Sequence, residues 1–226
     1  MNFLSHYYFE RFSWQPERVT GCLLPDLLKN VDKSYAFRPE RYARELEKRK
    51  DTLAIFEGWK RHVEVDRLFH SSKYFIDHCH YFRRKIIVPL QNTEIRTTFF
   101  AHVAVELFLD HLLITNQLVN AERLYENLEG TNSYSLKRFL KIIGLQDTAP
   151  FFDFYQKFVD SRYIHKYESV SSLVEAMINI CKRLWSFSLS EEEKTELTLI
   201  FETYIQEDLQ DYLEIFKYIQ DRLFTE

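Results

Sequence analysis

Apolar residues recur along this chain at the three- and four-residue spacing of an amphipathic helix, and nowhere does strict alternation compete with that pattern. Pro39 suits the first turn of a helix running toward Lys50, a second helix covers Leu53 to Phe69, and a third covers Lys73 to Ile87 and stops before Pro89. Thr93 opens a long helix through Ile114. Gly130 and Gly144 mark the ends of shorter ones. Ser190-Glu191-Glu192-Glu193 reads as a capping box: the serine accepts from an exposed amide and Glu193 reaches back. Behind it, Leu197, Ile200, Phe201, Tyr204, Ile205, Leu209, Tyr212, Leu213, Phe216, Ile219 and Leu223 form one continuous face, predicting a single closing helix packed on the body.

Composition narrows the fold class to all-α. Four glycines and five prolines in 226 residues are too few for a turn-rich sandwich or barrel. No repeat or long linker interrupts the pattern, so one helical bundle over 1–226 is expected, with the site motifs before residue 111 and helices from 133 completing it. Twenty Phe and fourteen Tyr read first as core. Three widely spaced cysteines without a CxxC pair argue against a disulfide framework and fit a reducing, cytoplasmic setting. The first residues lack the marks of a signal peptide, and no run of about 18 uncharged apolar residues suggests membrane insertion.

Charge is unevenly spread. The formal total is −4, yet residues 41–100 carry a net +5 and the remainder after them −9. The basic segment, with Arg83-Arg84-Lys85 in it, is either an ordinary solvated surface or a face for an acidic partner.

Chemistry concentrates in two stretches. His62, Asp66 and His70 follow one another at i, i+4 and i+8, and His102, Glu106 and Asp110 repeat that spacing, with His111 adjacent. Residues four apart share a helix face, and imidazole and carboxylate arms from such a pair can converge on one divalent ion. Two facing helices would supply four ligands or more. Glu106 and Asp110 lie in an apolar run and need partners or a metal if buried. Either the sets form a metal site, or they are satisfied core and surface groups. Asp26, after Leu23-Leu24-Pro25, either caps a helix or joins the site. His78 and His80 read as surface or helix-end residues, and His165 stands alone.

In order along the chain, these segments resemble the acyl carrier protein phosphodiesterase family, also called holo-acyl-carrier-protein hydrolases, a distant HD-phosphohydrolase-like group. Members open with Met-Asn-Phe-Leu-Ala-His, and Met1 to His6 differ from that only at Ser5. Gly21 to Asp26 keep the Gly, Leu-Leu and Asp of Gly-Asn-Leu-Leu-Ala-Asp. Gly58, His62, Val65 and Asp66 fit Gly-Ile-x-x-His-x-x-Ile-Asp. Glu106, Asp110, His111, Leu112 and Leu113 fit Asp-x-x-x-Asp-His-Phe-Leu, and Tyr167, Leu173 and Arg183 suit the looser C-terminal pattern.

The resemblance implies an HD-like bundle and removal of 4'-phosphopantetheine from a serine of acyl carrier protein, in the service of fatty acid biosynthesis. It implies Mn²⁺ or Mg²⁺, with Fe a further candidate, held by Asp26, His62, Asp66 and Asp110. His6 and His111 would stand at or behind the ion, and His70 or His111 would give a proton to the leaving oxygen. Lys60 and Arg61 adjoin His62 and are candidates to grip phosphate, while Arg83 and Arg84 would meet the acidic carrier; nucleic acid is not an expected partner. The chain departs from the family at Tyr8, His70, Ser72 and Glu106. His102 is extra and, with Glu106, a candidate further ligand. Two other readings stay open: an HD-like hydrolase of a nucleotide or small phosphoester, and a non-catalytic helical module that binds a partner.

Overall fold

The structure, a computed structural model, describes residues 1–223. Helices account for all the regular structure among them: α1 (Phe3–Tyr8), α2 (Pro16–Val31), α3 (Ala43–Leu46), α4 (Lys50–His70), α5 (Lys73–Ile86), α6 (Thr97–Thr115), α7 (Ala121–Gly130), α8 (Ser133–Ile142), α9 (Ala149–Ser161), α10 (Val170–Lys182), α11 (Glu191–Asp208) and α12 (Leu213–Leu223). Short 3-10 turns cover Pro39–Tyr42 and Tyr163–Glu168. The all-α expectation is met.

Local chemistry explains most boundaries. Ser72, Asn120 and Asn132 cap α5, α7 and α8 by accepting from backbone amides. The capping box at Ser190 is present in full. Gly144 ends α8 with φ +107, a left-handed conformation that glycine adopts without a Cβ penalty. Pro39 starts only a 3-10 turn followed by the short α3, not one helix to Lys50. Thr93 does not open α6. Its hydroxyl donates to the Leu90 carbonyl and accepts from the Ile95 amide, a local turn that delays the helix to Thr97. The single closing helix is also corrected. Its apolar face continues, but α11 stops at Asp208, where Glu207 and Asp208 place negative charge at the unfavourable C-terminal end of the helix. Asp208 pairs with Lys85 at 3.0 Å.

The chain forms two compact units, each drawing on separated stretches of sequence. The first comprises Asn2–Asp66 and Leu118–His165. There α2 packs on α1, α7 and α9, and the fully buried Tyr7, Leu23, Leu27, Ile55, Tyr125 and Phe139 belong to its core. Polar ties cross that interior: the Thr20 and Thr131 hydroxyls meet at 2.6 Å, and Tyr155 donates to the Leu128 carbonyl at 2.8 Å.

The second unit comprises Met1, Arg67–Gln117 and the chain from Lys166 onward. Here α6 packs on α5 and α10, and α11 on α10 and α5. Phe82, Phe108, Phe201 and Tyr204 form one aromatic cluster, with ring centroids 4.8–5.7 Å apart in edge-on and tilted pairs. By length and composition α6 is apolar enough to cross a membrane, which the sequence reading did not anticipate, but most of it is buried, as in a core helix.

Candidate metal centre

In the first unit, two glycines bring α2 and α4 into backbone contact. A Cβ on Gly21 would lie 2.2 Å from the Ile55 carbonyl oxygen, and one on Gly58 would lie 2.1 Å from that of Arg18. Only hydrogen fits at either position. The close crossing has a chemical consequence one turn further along α4. His62 Nδ1 reaches the Cys22 carbonyl of α2 at 2.8 Å. A carbonyl only accepts, so Nδ1 carries the proton and Nε2 is the nitrogen left to meet a ligand. That Nε2 lies 3.8 Å from Asp26 and 3.7 Å from Asp66.

Pro25 does not end α2. It sits inside the helix, so Asp26 is a mid-helix residue and not a cap. Proline cannot donate to the residue four positions earlier, which here is Gly21, at the close approach to α4.

His6, from α1, completes the group. Its side chain is fully buried, and its ring stacks on that of His62 with centroids 3.7 Å apart. Nε2 makes only a long contact, 3.3 Å, to Asp66 Oδ1, and Nδ1 has no hydrogen-bond partner. Burial lowers the His6 pKa to about 4, with the adjacent His62 adding to the effect and Asp66 opposing it. Burial alone would raise the Asp66 pKa, but the proximity of His6 and His62 outweighs it and holds this carboxyl well below the usual range. At neutral pH the pair is therefore a neutral imidazole beside an ionised carboxylate, the protonation state that a metal ion requires of its ligands.

The ligating atoms of His6, His62 and Asp66 all lie within 4.8 Å of one another. Donors bound tetrahedrally at 2.0–2.2 Å are roughly 3.4 Å apart, so the group needs only small side-chain adjustments to close on an ion. A cleft of about 310 Å³ reaches it, lined by Asp26, Lys29, Tyr35, Phe37, His62 and Asp66 among others. Lys29 was not singled out by the sequence reading. Its signal was its position three residues after Asp26 on the same helix face.

The remaining candidates have the following surroundings, each within its own unit. In the second unit His70 and His102 both meet Glu106 Oε1, at 3.1 and 3.2 Å. Asp110 is fully buried on α6. Buried His111 has Nδ1 2.7 Å from the Tyr167 carbonyl, so Nδ1 is the protonated nitrogen, and burial lowers its pKa. A neutral His111 of that tautomer presents an acceptor at Nε2, not a proton for a leaving group. Arg61 is turned to Glu10 at 3.3 Å, within a network in which Glu10 and Glu57 also hold Arg18. Lys60 is exposed and its ammonium lies over the Phe56 ring. Arg83 donates to the Thr97 hydroxyl, and Arg84 stacks on Tyr81.

No family model, curated protein or solved structure matches this chain.

Proposed function

We propose that this chain is a metal-dependent phosphodiester hydrolase that acts, like the family its motifs resemble, on the phosphopantetheine arm of holo-acyl carrier protein. One observation carries the metal half of the reading. His6 is a fully buried imidazole with no hydrogen-bond partner at Nδ1 and only a long 3.3 Å contact to Asp66 at Nε2, packed against His62, whose own Nε2 lies 3.8 Å from Asp26. Leaving buried polar atoms unsatisfied costs about 1–3 kcal/mol each, and a cation among His6, His62, Asp66 and Asp26 would remove that cost. Two imidazoles with carboxylates suit Mn²⁺, Fe²⁺ or Zn²⁺ better than Mg²⁺, which favours all-oxygen sites.

When bound, such an ion supplies Lewis acidity and lowers the pKa of water toward neutrality. The chain's own residues supply the rest. The Cys22 carbonyl fixes the His62 tautomer, so Nε2 stays directed at the two carboxylates. Asp66 stays ionised at neutral pH and so contributes a full negative charge. Lys29, on the cleft wall, donates to the Lys33 carbonyl at 3.1 Å and has two further N–H donors for the oxygens of a phosphodiester. In the overall reaction a water oxygen bonds to phosphorus, the bond to the serine oxygen breaks, and that oxygen takes up a proton.

Release of phosphopantetheine from holo-acyl carrier protein with Mn²⁺ supplied tests the reading, with Asp66→Asn as the site variant. Asp77→Asn is the control, since Asp77 pairs with Lys73 on the surface. Wild type should be active, Asp66→Asn inactive and Asp77→Asn unchanged. An inactive wild type that nonetheless hydrolyses bis(p-nitrophenyl) phosphate would move the substrate to a small phosphoester. No activity on either, with no bound metal, would overturn the hydrolase.

A further inference from the structure

The second unit holds another group with the same donor types. His70 is the last residue of α4, while His102 and Glu106 lie one turn apart on α6. Their ligating atoms also fall within 4.8 Å of one another. The imidazoles are stacked with centroids 5.1 Å apart, and the edge-on Phe75 ring packs against both, at 5.1 and 4.9 Å. That packing orients the rings, so Nε2 of each approaches the same carboxylate oxygen, at 3.1 and 3.2 Å. These separations suit donors on one tetrahedral ion, about 3.4 Å apart. Glu106 Oε1 also lies 3.3 Å from the Met1 ammonium, so this point already attracts positive charge.

We propose that His70, His102 and Glu106 form a second divalent-metal site, of the Zn²⁺ class, distinct from the His6–His62–Asp66 group. Two imidazole nitrogens and one carboxylate select a borderline transition ion over Mg²⁺ or Ca²⁺. Three protein ligands leave a fourth position, as catalytic zinc sites do and closed structural sites do not. The fourth position has somewhere to open. A cleft of about 740 Å³, walled by Arg96, Phe99, Leu184 and Trp185, is also lined by His102 and Glu106. His102 is 44% exposed and His70 33%, so an ion can enter without unfolding the unit. Within that cleft Arg96 supplies a guanidinium, so the small ligand completing the coordination would be water or an anion.

The site is independent of the proposed hydrolase activity and is tested by its own metal. The full chain is titrated with Zn²⁺ by calorimetry, and crystals soaked in Zn²⁺ are measured at the zinc absorption edge. Wild type should show an anomalous peak within bonding distance of His70, His102 and Glu106. His102→Ala, a change at a largely exposed position, should remove that peak and weaken one binding step on the order of tenfold or more. His70→Ala should do the same from a different helix. Asp66→Asn should leave the peak and that binding step in place. Absence of the peak in wild type, or unchanged titrations in both histidine variants, overturns the second site and leaves the reading at Asp66 standing. If the His102 and His70 variants lose one step while Asp66→Asn binds like wild type, the second site stands and the first fails.

Discussion

The two donor groups of this protein have the same composition and opposite settings. His6, His62 and Asp66 form a group around a fully buried imidazole, assembled from α1 and α4 and fixed by a backbone carbonyl of α2. His70, His102 and Glu106 stand in an open cleft wall, assembled mostly from one turn of α6 and steadied by a phenylalanine. In the first, burial leaves His6 neutral and short of partners, so an ion would relieve an existing defect. In the second, the side chains satisfy one another and solvent reaches them, so an ion must displace those contacts. Donor type sets which metals fit. Burial sets how much a metal changes stability.

The largest expected effect strikes the buried group through its scaffold. Gly58→Ala puts a methyl 2.1 Å from a carbonyl oxygen, so α2 and α4 must separate. Overpacking of this kind costs roughly 1–3 kcal/mol, and more against rigid backbone. The melting temperature should fall by several degrees, and metal affinity at His62 and Asp66 should fall with it. Retained stability would mean that the crossing does not hold the site together.

Next is the ligand itself. Asp66→Asn keeps the shape and removes the charge, so Mn²⁺ affinity measured by calorimetry should drop on the order of 100-fold. The far-ultraviolet dichroism should remain helical.

Acid sharpens the contrast further. The folded-state pKa of His6 is depressed to about 4 from an ordinary 6.5, so the unfolded chain binds more protons between those values. Its stabilising contribution is complete above about pH 6.5 and is lost as pH falls through about 4. A shift of this size corresponds to about 3 kcal/mol. Asp66, also depressed, adds a loss in the same direction at still lower pH. Chemical denaturation of the metal-free protein from pH 7 to pH 4 should show this slope, and His6→Asn should flatten it. An unchanged slope in that variant would show that His6 is not buried as a neutral ring.

The smallest effect concerns docking on the second unit. Arg83 donates to the Thr97 hydroxyl and Arg84 stacks on Tyr81, and among the described residues neither pairs with a carboxylate, whereas Lys85 is paired with Asp208. Reversing both to Glu should weaken binding of an acidic carrier protein several-fold at low salt and leave little difference near 1 M, where the Debye length is about 3 Å. Salt-independent binding would remove this face from consideration.

Much of this molecule was legible in residue order. Apolar spacing revealed the helices, Ser190 and Glu193 a capping box, and Gly144 a stop, because each depends on neighbours within one or two turns. The i, i+4 pairs His62–Asp66 and His102–Glu106 were equally local, and both are present. Spacing alone did not give the third member of each set, although the family resemblance had placed His6 at or behind the ion with His62 and Asp66. Eight residues of helix rise about 12 Å, too far for one ion to join His62 and His70 directly. His62 and Asp66 instead group with His6, and His70 with His102 and Glu106. No spacing rule states those partners, and the grouping of His70 with His102 and Glu106 was decided by tertiary structure alone. A helical period states which face a side chain occupies, whereas the helix opposite it depends on where backbones can approach. At α2 and α4 that depends on the absence of two β-carbons, at Gly21 and Gly58.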